Sequence, residues 1–328
     1  MFLESLQMSK HKFTKYQNLK HILSYPASLL QAFFPTSKRE NGISVMIRVR
    51  DEEAWIAKSL LSLNEFADEV VVVNNNSLDN TLKEINSVRD KLKYKLIVED
   101  ETSDDICVVS NHALSLTSYR WIFRWDSDFI AYTSSEKNIK NLRNYLLNLN
   151  SKRHYLIFPL TISFAGDLFH VKTGSETNSE GYIHNWHHKL KYVKRGKFES
   201  LQIPFFYKIK RLKEIYFVHI GSAKPISKLL YRFFWLFWLK ENNKFEKIDE
   251  YISHISHEKW NDLSPSEIAI QKFKDLILPI RKFDTKEFGH YPEIMKEDII
   301  NPKLKIIYNN KKPTSRNDFL LDSNHKSF

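Results

Sequence analysis

The chain has 328 residues, 42% of them hydrophobic, which is enough for one large domain or two modest ones with a substantial core. Its net charge of +11 suits nucleic acid, anionic lipid or acidic substrates as partners, but no Cys/His finger or Arg-rich recognition helix accompanies that charge. The single cysteine, Cys107, excludes an intramolecular disulfide and a cysteine-rich zinc site; it falls in an apolar helical pattern and reads as a small core residue.

In chain order, residues 1–40 read as a basic extension with no signal-peptide core and cleavage site. Two readings stand for it: a cover over a sheet edge, or a contact with a membrane surface. Ile43 to Val49 is a β-branched run, followed by Asp51-Glu52-Glu53 and by apolar residues at Trp55, Ile56, Leu60, Leu61 and Leu63. That is strand, acidic turn and helix, with Asp51 expected as the N-cap. Glu69 to Val73 is a continuous valine run of the kind buried on both faces of a sheet. The polar turn Asn74 to Ser77 follows it, and Asp79 opens a second helix with Leu82, Ile85 and Val88 on its apolar side. Tyr94 to Val98 is a third strand, and Cys107 to Leu116 a third helix. A fourth apolar run, from Tyr119, ends at Trp125-Asp126-Ser127-Asp128.

Strands alternating with helices of this length mean βαβ units and a mostly parallel, Rossmann-like α/β sheet. Ligands of such sheets bind outside the carboxyl ends of the strands. Asp51-Glu52, Asn74-Asn75 and Asp126/Asp128 all fall at those ends. Two carboxylates one residue apart on a short turn have the spacing and hardness to hold Mg²⁺ or Mn²⁺ while the metal keeps sites for a diphosphate.

Asn138 to Leu149 reads as a helix and Tyr155 to Leu160 as a strand; Thr161 to Leu201 is a mixed region rich in aromatic, His and charged residues. His184, His187 and His188 invite a zinc reading, but Asn185 stands where a zinc helix needs its Glu, so cleft-lining or plain surface positions are the alternatives. A β run ends near His219, before Gly221, Ser222 and Lys224. The apolar run Leu229 to Leu239, broken by Arg232, is shorter than the roughly 20 residues of a membrane span and suits a buried or an interfacial helix. Further helices are expected over Lys247 to His257 and Ser264 to Ile277, the latter with Pro265 at its first position and Glu267 at its third. The expected organisation is therefore an extension (1–40), an α/β domain (41–225, in two halves divided near 130) and a helical C-terminal region (226–328).

From Gly42 to about Phe129 the chain resembles the family 2 glycosyltransferases, inverting, nucleotide-sugar-dependent enzymes of the GT-A fold. Ile43 to Trp55 is similar to the family's first strand and Asn-Glu-Glu-like turn, with Asp51 where Asn is usual. Val73 to Thr81 is similar to its Val-Asp-Asp-Gly-Ser-x-Asp-x-Thr segment, with Asn74-Asn75-Asn76 in place of the acids and glycine. Ser110 to Leu114 resembles the segment before the D-x-D strand, and Asp126-Ser127-Asp128 the D-x-D motif itself.

The resemblance implies that Glu52 and Asn75 line the base and ribose pocket, and that Arg48, Asn74, Asn111, Asp126 and Lys224 complete the donor site. It implies a Mn²⁺ or Mg²⁺ ion on Asp126 and Asp128, with His219 as a further ligand. An amide at Asn75 can still bond a ribose or base, and Asn76 can adopt a left-handed turn meant for Gly. Inverting transfer needs a carboxylate to take the acceptor's proton. Asp167, Glu176 and Glu180 are the candidates, with no choice among them.

The expected function is transfer of a sugar from a UDP- or GDP-linked donor to a saccharide or lipid-linked acceptor in surface polysaccharide assembly. The expected place is the cytoplasm, at the membrane face. The alternatives are a non-catalytic, membrane-associated binding module and a sugar nucleotidyltransferase. The second wants a Gly-rich phosphate loop, and Arg48 to Glu53 contains no glycine.

Overall fold

The structure is a computed structural model; it describes residues 38–150, 152–195, 198–226 and 248–320, together with 26, 228, 229 and 234. Apart from Leu229 and Phe234, the run Leu229 to Leu239 lies outside the described residues, as does most of the N-terminal extension. No helix among the described residues is long and apolar enough to cross a membrane.

The first half follows the sequence pattern. Strands β1 (Ile43–Val49), β2 (Glu69–Asn74), β3 (Lys95–Asp100) and β4 (Trp121–Asp126) alternate with helices α1 (Ile56–Ser62), α2 (Thr81–Val88) and α3 (Ile106–Ser115). They pair in parallel in the order β3-β2-β1-β4. The chain steps outward from β1 to β3 and then returns to the other side of β1. The switch point therefore lies between β1 and β4, where the loops diverge and leave a crevice at the carboxyl ends. The register sets Arg48 opposite Asp126 at that crevice. Val70 to Val73 have no exposed surface, because helices cover both faces of this block.

The second half is attached through antiparallel strands. β5 (Phe129–Ala131), helix α4 (Ile139–Leu147), β6 (Tyr155–Ala165), β7 (Asp167–Lys172), β8 (Thr177–Ser179) and β9 (Ile183–Asn185) come first. The hairpin β10 (Lys191–Arg195) and β11 (Phe198–Gln202) and the long β12 (Lys208–His219) follow. β9 bridges β4 and β6. β12 runs parallel to β6 and antiparallel to β5, which brings His219 level with Phe129 and Ser163.

The C-terminal region holds the expected helices, α5 (Ile248–Trp260) and α6 (Pro265–Ile277), the second closed by a Ser264/Glu267 capping box. It is not helical throughout. β13 (Ile280–Lys282) extends the main sheet beside β7, short helices α7 (Thr285–Phe288) and α8 (Lys296–Ile300) follow, and β14 (Ile306–Asn309) and β15 (Lys312–Arg316) form a hairpin.

An aromatic cluster anchors the turn between β4 and β5. Trp125 and Phe129, on either side of residues 126–128, are fully buried edge to face at 5.3 Å, and Phe217 packs 5.0 Å and 4.9 Å from them. Trp125 Nε1 donates to Ser59 Oγ at 2.8 Å. Each such ring pair adds about 1 kcal/mol beyond area burial, so the turn that carries the paired acids stands on rigid ground. Cys107 is buried and free, as expected of a core residue.

Candidate active site

The loops after β1 and β2 are tied together by their own polar residues. Asp51 does not cap α1, whose N-cap is Trp55 without a side-chain bond. Instead it adopts a left-handed φ of 53°, and its Oδ1 accepts from the backbone of Leu78 at 2.6 Å. A helix of seven residues whose start is fixed by the Glu52 carbonyl has little need of a side-chain cap. Asn76 takes the left-handed turn, φ 52°, that its substitution for glycine demanded.

Asn74 and Asn75 are both buried. Asn74 Nδ2 donates to Asp100 Oδ1 at 2.7 Å, and its Oδ1 accepts from Ser77 N. Asn75 makes a two-bond pair with the backbone of Ser103, 2.9 Å and 3.0 Å. Asn111 makes the equivalent pair with Tyr192, 2.9 Å and 2.8 Å, and so fastens β10 to α3. These three amides hold neighbouring segments together.

Glu52, Asp128, His219 and Lys224 converge from three segments: the β1 loop, the β4–β5 turn, and the end of β12 with the turn after it. Asp128 Oδ2 lies 2.8 Å from Lys224 Nζ and 3.2 Å from His219 Nε2, and the same ammonium lies 2.5 Å from Glu52 Oε2. Burial opposes ionisation of Asp128, but the charges of His219 and Lys224 outweigh it and hold the carboxyl well below the ordinary range. Burial likewise works against the charged forms of His219 and Lys224, and Asp128 reverses it, with Glu52 helping Lys224, so both cations titrate above their usual values.

Asp126 points elsewhere. Its carboxylate, 30% exposed, lies 3.6 Å from Arg48 Nη2. Beside it Arg48 and Arg124 clasp Glu199, Arg124 at 2.9 Å, with Ser110 Oγ on the same carboxylate. Arg124 also reaches Glu180 at 3.0 Å. Sequence reasoning missed Arg124 and Glu199. Arg124 left a signal, a charge inside an apolar strand two residues before Asp126 and hence on the same face. Glu199 left none.

The two members of Asp126-x-Asp128 thus face different partners, and among the described residues no three His, Cys, Asp or Glu side chains already converge as metal ligands. The donor set still fits a hard divalent ion. Two carboxylates and an imidazole are suitable ligands, and Asp128 Oδ2, although flanked by two cations, is buried without a hydrogen bond of good geometry. His184 lies in β9 with no exposed surface, and among the described residues neither it, His187 nor His188 is part of a metal cluster.

Of the three base candidates, two are structural. Asp167 is buried, accepting from Phe169 N and Ile306 N and facing His170 Nδ1 at 2.6 Å. Glu176 is bound by Arg281 at 2.8 Å; burial raises its pKa, but the bonds to Arg281 and the backbone carry it below the usual value, the wrong direction for a base. Glu180, half exposed, is held by Arg124, which also holds Glu199.

The fold is of the GT-A type: a parallel βαβ block with acids at its switch point and a late His and Lys folded back onto them. Residues 44–144 match the family described as Glycosyl transferase family 2. The chain carries a family 2 region and is a glycosyltransferase.

Comparison with curated proteins finds no sequence match. Among solved structures the fold is similar to residues 1–349 of S. aureus TarS in complex with UDP-GlcNAc, at 15% identity and a TM-score of 0.40, over 84% of this chain and 99% of that one. It is also similar to the mannosyltransferase PcManGT from Pyrobaculum calidifontis in complex with GDP-Man and Mn²⁺, at 12% identity and a TM-score of 0.39, over 88% of each chain. With TM-scores below 0.5 these likenesses are loose, and the family match carries the assignment.

Proposed function

We propose that the protein transfers a sugar, with inversion, from a UDP- or GDP-linked donor to a saccharide or lipid-linked acceptor, as in surface polysaccharide assembly. The observation that carries this reading is the Glu52–Lys224–Asp128–His219 cluster at the β1/β4 switch point. Its ammonium is held by two carboxylates in a largely buried site, where a fixed charge acts more strongly than in water.

The donor diphosphate lies against this cluster, and Lys224 neutralises the charge that grows on it as the glycosidic bond breaks. Asp126 and Asp128, with His219, are the residues that would hold Mn²⁺ or Mg²⁺, and such an ion would supply further Lewis-acid neutralisation of the leaving diphosphate. Arg48 and Arg124 flank the donor on the side of β10 and β11. Glu180 takes the proton of the attacking acceptor hydroxyl, on the face opposite the leaving group. The basic charge and the Leu229 to Leu239 run suit an acceptor at an anionic membrane surface.

The test is thermal stability with UDP, GDP, CMP and dTDP, each with and without Mn²⁺, on wild type and on Asp128→Ala. Binding to the native state raises the melting temperature. A metal-dependent rise with UDP or GDP, lost in the variant, supports the reading. No rise with any nucleotide counts against it.

A further inference from the structure

Lys224 is held at its ammonium end by Glu52 and Asp128, but its backbone is held by the C-terminal hairpin. Arg316, at the end of β15, has no exposed surface. Its Nη1 donates to the Gly166 carbonyl at 2.6 Å and to the Ser222 carbonyl at 3.4 Å. Its Nε and Nη2 form a fork on Asp318, 2.7 Å each, and Asp318 Oδ2 in turn accepts from Ile226 N at 3.0 Å. Ser222 and Ile226 stand two residues before and two after Lys224. One buried ion pair therefore fixes both flanks of the residue that faces the donor.

The surroundings leave this segment little freedom. Gly221 has a φ of 62°, and a Cβ there would lie 2.6 Å from the Phe164 carbonyl. Ser222 Oγ accepts from Gly166 N at 3.0 Å. Beyond Ile226, Lys228 Nζ reaches Asp79 Oδ2 at 2.6 Å on the far side of the strand ends. The hairpin is itself locked to β7, by Ile306 N on Asp167 and by Tyr308 OH on His170 Nε2 at 2.7 Å.

A buried guanidinium carries a desolvation cost that an apolar residue in its place would avoid. Its planar fork serves two carbonyls and a carboxylate at once, a pattern a lysine cannot reproduce. Packing over the Phe273 ring at 4.4 Å would be served as well by a leucine or methionine. The charge and the fork are needed only for the contacts to residues 166, 222 and 318.

We propose that Arg316 and Asp318 are positioning residues that set the Lys224 ammonium between Glu52 and Asp128, so that the C-terminal hairpin is an integral support of the catalytic site. This rests on the glycosyltransferase chemistry proposed above.

The experiment measures nucleotide release from UDP-glucose, UDP-N-acetylglucosamine and GDP-mannose by the full chain, with water as acceptor. It compares wild type, Arg316→Lys and Asp318→Asn, each also in a Lys224→Gln background. The expected result is a fall in kcat of about ten-fold for either variant, with donor KM changed less than about three-fold. In the Lys224→Gln background neither substitution lowers kcat further, because the group they position is gone. An equal fall in both backgrounds, or unchanged kcat in folded Arg316→Lys and Asp318→Asn, overturns the proposal. Should Arg316→Lys not fold, Asp318→Asn decides alone, since it leaves Arg316 in place. Absence of release by wild type with every donor refutes the underlying reading instead, and this proposal with it.

Discussion

The Lys224 ammonium stands between two carboxylates from distant strand ends, 2.8 Å from Asp128 Oδ2 and 2.5 Å from Glu52 Oε2. The chain thereby presents a fixed positive charge at the switch point of its parallel sheet, beside the acids of the D-x-D turn.

Asp128→Asn preserves the shape of the turn and removes the charge that orders His219 and Lys224. Transfer is expected to fall by roughly 10²-fold or more, the scale for losing one preorganised electrostatic group. Circular dichroism should be unchanged. Activity near wild type in the folded variant would remove Asp128 from the site.

Lys224→Met leaves Glu52 and Asp128 facing each other without their shared cation. Breaking a buried ion pair in this way costs about 3 kcal/mol, read as a lower midpoint in urea. Addition of Mg²⁺ or Mn²⁺ is expected to recover more stability in the variant than in wild type, because it neutralises the abandoned carboxylates. An equal metal response in both would show that the ion binds elsewhere.

Glu180→Gln tests the base. A loss of roughly 10²–10⁴-fold in kcat with little change in donor KM is the expected range for a general base. Asp167→Asn and Glu176→Gln are expected to lower thermal stability and leave the turnover of folded protein close to wild type, since both carboxylates serve structural bonds. A turnover loss confined to Asp167→Asn or Glu176→Gln would reverse the assignment.

His184 gives a pH signature of stability. Its burial, with the nearby charge of Arg124, pushes the imidazole down to about 3, against 6.5 for an exposed histidine. Below pH 6.5 the unfolded chain binds a proton that the folded chain refuses, so stability is fully present above that pH and falls as pH drops toward 3. Between pH 6.5 and 5, before most carboxylates titrate, this one residue should remove about 2 kcal/mol. His184→Phe is expected to flatten that part of the curve in urea titrations; an unchanged slope would place the proton uptake on another group.

The alternation of β runs and helices from Ile43 to Asp126 was legible because it is local. Val70 to Val73 must lie in a sheet covered on both faces, and strand ends in such a sheet are where acids become useful. The positions of Glu52 and Asp128 at strand ends follow from that frame, whereas a meeting of Asp128 with His219 was implied only by the family resemblance. Asn76 was legible for a similar reason, since its turn restricts backbone angles and needs no distant partner.

The direction in which each side chain faces was decided by tertiary structure. Asp126 and Asp128 are neighbours in sequence, yet Arg48 faces one while Lys224 and His219 face the other. Glu199 crosses 75 residues of chain to reach Arg124, and Lys224 crosses 172 to reach Glu52. Asp167 was a candidate base, but a hairpin 139 residues away occupies its Oδ2, while Phe169 N and His170 take its Oδ1. Sequence windows carry periodicity and turn chemistry, and these place a residue at the end of a strand. A charge or amide then turns toward whichever partner satisfies it, and that partner is supplied by the folding of remote segments.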